Sequence, residues 1–74
     1  MSPALPILSG REAVTALCKA GLTVRRQTGS HIILRRDSPF AQVTVPDHKT
    51  LGRGTLRAII RQSGMSVEEF IGLL

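Results

Sequence analysis

Helical spacing of apolar residues gives way to strict alternation and then returns within a chain of 74 residues. That change of period is the strongest constraint on its fold, because side chains repeat every 3.6 residues on a helix and every two on a strand. A chain of this length can bury one thin core and not two. Amphipathic helices and a half-apolar sheet then have only each other to bury against. The expectation is an α+β fold in one domain over 1–74, a two-layer α-β-β-β-α sandwich with a three-stranded antiparallel sheet and the helices on one face.

The helical stretches carry their own punctuation. In "LSGREAVTALCKAGL", Ser9 and Glu12 form a capping box and Gly21 supplies the left-handed stop, with Val14, Leu17 and Cys18 as the apolar stripe. A second helix runs from Gly52 or Gly54 to Ser63, turns Leu56, Ile59 and Ile60 inward, and stops at Gly64. Ser66 and Glu69 open a last helix with another capping box, and Met65 can staple onto Phe70. Its apolar residues Val67, Phe70, Ile71 and Leu74 are spaced i, i+3, i+4, i+7.

Between the helices, "LTVRRQ", "HIILRR" and "AQVTV" read as an antiparallel meander, with turns at Thr28-Gly29-Ser30 and Asp37-Ser38-Pro39. A two-residue Gly29-Ser30 turn pairs Val24 with Arg35 and Gln27 with Ile32, mixing apolar and charged residues on both faces. A three-residue connection instead pairs Val24 with Leu34 and Arg26 with Ile32. Leu22, Val24, Ile32 and Leu34 then share the covered face, while Arg25, Gln27, His31, Ile33 and Arg35 face outward. A bulge would shift this by one residue.

Charge narrows the partners. Ten Lys and Arg against five Asp and Glu leave a net charge of +5, which points to a polyanion: nucleic acid, an anionic surface or an acidic protein. "MSPALPILSG" has neither the leading charge nor the apolar run of a signal peptide, and no stretch is long enough to span a membrane. Cys18 is the single cysteine, so no internal disulfide or cysteine-based zinc cluster can form; this fits the cytoplasm, with Cys18 as a small core residue.

His31 follows Gly29 and Ser30 at the mouth of a hairpin with arginines on both sides. Guanidinium groups at 25 and 35 would hold a phosphate, and an imidazole is the side chain whose ordinary protonation change suits proton transfer on a phosphodiester near neutral pH. Taken alone, Gly-Ser-His leaves catalysis and a plain exposed hairpin histidine both open. His48, beside Asp47 and Lys49, reads as a hydrogen-bonding residue at a loop or helix entry. The two histidines lack co-ligands, so no metal is expected. Arg53, Arg57 and Arg61 recur every fourth residue as a basic ridge on the second helix, with Lys49 just before it. There is no Trp or Tyr; of the two phenylalanines Phe70 belongs to the core stripe, and Phe40 can stack on a base or pack in its loop.

"SGREAVTALCKAGL", "RRQTGSHIIL", "VTVP.H" and "GTLRAIIRQSGMSVEEF", in this order, resemble the HicA (YcfA-like) mRNA interferase toxins, over about Leu8 to Leu74. The resemblance implies a double-stranded-RNA-binding-domain-like fold. It also implies cleavage of mRNA without the ribosome, and neutralisation by a HicB-type antitoxin. The family's catalytic histidine maps onto His31, with Gly29 and Ser30 completing its motif. On this reading His31 transfers a proton without metal or cofactor, Arg25, Arg35 and Lys49 position phosphate, and Arg53, Arg57 and Arg61 dock RNA. The antitoxin would cover the His31 face around Ile33. A non-catalytic RNA-binding module and a pure protein-interaction module remain alternatives.

Overall fold

The structure, a computed structural model, describes residues 4–74. Residues 1–3, which begin both the stretch read against a leader and the expected domain, lie outside the described residues. Helix α1 spans Gly10–Lys19 and starts where its capping box puts it. The Glu12 amide donates to Ser9 Oγ at 3.1 Å, and the Ser9 amide donates to the Glu12 carboxylate at 2.9 Å. Past the last turn the chain leaves through Gly21, whose φ of +93° favours glycine.

Strands β1 (Thr23–Thr28), β2 (His31–Asp37) and β3 (Phe40–Pro46) form one antiparallel sheet in the order β1-β2-β3. The alternation read from β2 and β3 holds. Ile32, Leu34, Ala41, Val43 and Val45 are buried beneath the helices, while His31, Arg35, Phe40, Gln42 and Thr44 are exposed on the other face and Ile33 is half-buried. Helix α2 (Arg53–Ser63) packs on β3 through Leu56, Ile59 and Ile60 and ends at Gly64, with φ of +79°. Helix α3 (Val67–Ile71) begins with the Ser66–Glu69 capping box and buries Phe70 completely. The result is the α+β arrangement with helices on one face of an open three-stranded sheet.

Three core assignments made from the sequence are corrected. The buried face of α1 is Ala13, Ala16 and Leu17; Val14 is only half-buried and Cys18 is exposed. Small alanines let the helix approach the sheet closely, so the stripe sits one position from where hydropathy places it. Val24 is 49 % exposed because β1 is an edge strand that projects beyond the helical cover, and all six of its residues are exposed. α3 is too short for an i+7 face, so Leu73 packs against the core while Leu74 stays open to solvent.

Two polar devices hold the layers in place. Arg36, on the covered side of β2, donates to the carbonyls of Pro39, Ala20 and Ser63 at 2.9, 2.8 and 3.5 Å. One guanidinium thereby ties the β2–β3 turn to the C-terminal ends of α1 and α2, where backbone carbonyls lack partners and cations are favoured. At the other end, the Gly10 amide donates to the His48 carbonyl at 2.8 Å. A methyl at Gly10 would collide with the Pro46 carbonyl oxygen, so the close seat of α1 on the loop after β3 requires glycine.

Candidate functional site

The open face of the sheet is organised by one turn and one bulge. Gly29 has a φ of +58°, and its turn partner Ser30 does not have a positive φ, the pattern of a two-residue hairpin turn that needs glycine at its first position. Thr28 pairs with His31 and Gln27 with Ile32, which is the register that alternation argued against. Farther along, Val24 pairs with Leu34, which is the register that alternation favoured. Arg25 reconciles the two: it is the extra residue between Val24 and Arg26, and Arg26 pairs with Ile33 instead of Ile32.

This bulge rearranges the predicted face. Arg25 and Arg26 both reach the open side, where they line a shallow depression with Ile33, Arg35 and Gln42. Gln27 is opposite the buried Ile32 and bonds the Gly29 carbonyl at 3.2 Å. Arg26, assigned to the covered face from the sequence, is therefore an open-face cation that the reading missed. The sequence holds only a hint of this: unbroken alternation must bury one of two consecutive arginines in a strand, but nothing local to Arg25 and Arg26 fixes that a bulge intervenes there.

His31 opens β2 on the open face, exposed, between Thr28 and Pro46. The arginines expected beside it stand elsewhere. Arg35 is four residues along the strand, roughly 13 Å away, and both Arg35 and Arg25 bind Asp37. Arg35 Nε donates to one carboxylate oxygen at 2.8 Å and Arg25 Nη2 to the other at 3.3 Å. Arg35 also lies 5.3 Å from the centroid of the Phe40 ring. Arg26, two strand positions from His31, has no ion-pair partner among the described residues and is the nearest open-face arginine by register.

Below His31 the backbone is pinned. The Asp47 amide donates to the Ser30 carbonyl at 2.6 Å, fastening the loop after β3 to the hairpin turn. The Asp47 carboxylate accepts two bonds from Arg11 of α1, at 3.0 and 2.9 Å. These bonds, above all the direct hydrogen bonding, hold the Asp47 carboxyl below the usual carboxylate range and raise the Arg11 guanidinium. His48 and Lys49 are exposed in the same loop; His48 serves the entry of α1 through its backbone carbonyl.

The arginines of α2 belong to another surface. Arg53, Arg57 and Arg61 are exposed, and the last two border a depression between α2 and α3 with Met65, Ser66 and Val67. Gln62, on the opposite flank of α2, accepts from the Thr44 amide at the outer edge of β3. The fold thus brings His31, Arg25, Arg26 and Arg35 onto one face and keeps the ridge on the helical layer. Among the described residues, no three His, Cys, Asp or Glu side chains gather as a metal site, and no helix is long and apolar enough to cross a membrane.

Compared with known proteins, residues 10–65 match the family model described as "HicA toxin of bacterial toxin-antitoxin". The matched span begins with α1, includes the whole sheet and α2, and stops before α3. No curated protein matches the chain.

Proposed function

The chain belongs to the HicA toxin family of bacterial toxin-antitoxin systems, and from that premise we propose that it is an endoribonuclease that cuts mRNA with His31 as its proton-transfer residue. The observation that carries this reading is the placement of the one histidine behind Gly29 and Ser30. It stands exposed on the open sheet face, over a turn fastened by the Asp47–Ser30 bond, with Arg26 diagonally across the pair of strands. A rigid backbone beneath an accessible imidazole suits acid–base work, since a transferred proton needs its carrier held in reach.

In the proposed reaction the 2′-hydroxyl of RNA attacks the adjacent phosphorus. The bond from phosphorus to the 5′-oxygen breaks, leaving a 2′,3′-cyclic phosphate and a free 5′-hydroxyl. His31 either takes the proton from the 2′-hydroxyl or gives one to the leaving oxygen; His48, Ser30 or Lys49 supplies the other transfer. The nucleophile belongs to the substrate, so the step calls for no metal ion. Arg26 joins Arg25, Arg35 and Lys49 as groups that stabilise charge on the phosphates, and Arg53, Arg57 and Arg61 dock flanking RNA. A HicB-type antitoxin would neutralise the toxin by covering the His31 face, and the cytoplasm is where its mRNA substrate is met.

Purified protein incubated with mRNA in excess chelator is expected to cut it and leave cyclic phosphate ends. His31→Ala should slow cleavage by about 100-fold or more, the usual scale of general acid–base catalysis. Intact RNA, or equal cleavage by the variant, would overturn the proposal. The alternative, a non-catalytic RNA-binding module, draws on the absence of any side-chain hydrogen bond orienting His31 among the described residues. It expects RNA bound tightly and recovered whole.

A further inference from the structure

The two aromatic rings of this chain have opposite fates. Phe70 is fully buried, whereas Phe40 is 65 % exposed as the first residue of β3, opposite Asp37 on the open sheet face. The Arg35 guanidinium is 5.3 Å from its centroid. Beside this pair, Arg25 and Arg35 converge on the two oxygens of one carboxylate, that of Asp37. The adjoining depression is lined by Arg25, Arg26, Ile33, Arg35 and Gln42. An exposed ring, clustered guanidinium groups already sharing one oxyanion, and a half-apolar floor are the components of a nucleotide subsite: a base for the ring and a phosphate for the arginines.

We infer that the open sheet face is a single-stranded RNA site running along β2. One base stacks on Phe40, and its adjoining phosphate is held by Arg25, Arg26 and Arg35 in exchange for Asp37. The inference rests on the nuclease reading and names the substrate class for that same face. From His31 to Asp37 is six residues of strand, about 20 Å. That is the length of roughly 4 extended nucleotides, the lower end of single-strand sites on small β domains. Stacking requires an unpaired base, because a base inside a duplex keeps both faces against its neighbours. The charge of the face excludes an acidic strand of protein as poorly as it excludes RNA, but the ring beside the arginines favours the nucleotide.

The test uses the full chain carrying His31→Ala, so that RNA survives, and an unstructured labelled RNA oligonucleotide long enough to cross the sheet. Fluorescence anisotropy should give several-fold tighter binding to the single strand than to the same strand annealed to its complement. Adding Phe40→Ala should weaken single-strand binding about tenfold, and Phe40→Trp should restore it. The exposed position leaves the core intact, and thermal melting of each variant checks that it does. Unchanged binding by Phe40→Ala, or equal binding of duplex, overturns the inference. So does a Phe40→Ala variant that loses only its antitoxin, since the face is then a protein interface. If the chain with His31 leaves RNA whole while binding stays dependent on Phe40, the nuclease reading falls and this inference stands.

Discussion

At the scale of single residues, the molecule shows how few groups need to be placed well. Arg36 serves three carbonyls from three elements, and Gly10 allows α1 to seat on the loop after β3. Asp47 does two things at once: its amide fastens the hairpin turn and its carboxylate fastens Arg11. Its pH dependence has a definite sign. A carboxyl held below its usual range in the folded chain binds fewer protons there than when unfolded, so it adds stability above about pH 4 and loses it as pH falls through the lowered value. Glu69 acts in the same direction through the Ser66 amide and hydroxyl. Urea titrations between pH 6 and about pH 2 should show stability falling with acid, and Asp47→Asn should flatten that fall without removing the share due to Glu69. An unchanged slope in the variant would assign the acid sensitivity elsewhere.

At the scale of elements, the consequential object is β1. Its two halves keep different registers, and the extra residue Arg25 joins them. Because β1 is an edge strand with every residue exposed, the bulge costs little core packing and turns two arginines to one side. Deleting Arg25 would bring Val24 and Arg26 into one continuous register with Leu34 and Ile33. The deletion should therefore leave the sheet folded, with a change of about 1 kcal/mol in thermal or chemical denaturation, and should remove one of the two guanidinium groups on Asp37. Loss of the cooperative transition would show that the bulge is required for folding. The capping boxes of α1 and α3 were legible from four-residue patterns because both partners of each bond lie within one turn. The bulge was not legible, because it depends on which strand lies at the edge.

For the whole molecule, the relevant quantity is how the excess of five positive charges is distributed. Glu12 and Glu69 are engaged by their own helix caps, and Asp37 and Asp47 by arginines, so the remaining cations face little internal competition. Lys19 and Arg36 bond backbone carbonyls on the helical side, which leaves Arg26 on the open sheet face, Arg53, Arg57 and Arg61 on α2, and Lys49 in the loop between them. The loop that carries His48 and Lys49 runs between the His31 end of the sheet and Arg53, so a long RNA can meet both surfaces. Measured against salt, binding of a long mRNA fragment to the His31→Ala chain should lose about 0.7 of slope per removed phosphate contact, for Arg26→Gln and for Arg57→Gln alike. An oligonucleotide that crosses only the sheet should respond to Arg26→Gln alone, and an equal response to both would place short RNA on the helical layer as well as on the sheet. What the sequence determined by itself is what local bonds and periodicity encode: the order of elements, both capping boxes, the alternation of β2 and β3, and the position of His31 behind its glycine turn. The tertiary structure alone decided that Arg25 and Arg35 belong to Asp37, that Arg26 faces outward, that Cys18 and Val24 are exposed, and that the α2 ridge lies on the other layer from His31. These depend on where the helical cover ends over the sheet, which is a balance of contacts between residues far apart in the chain that no short window of sequence contains.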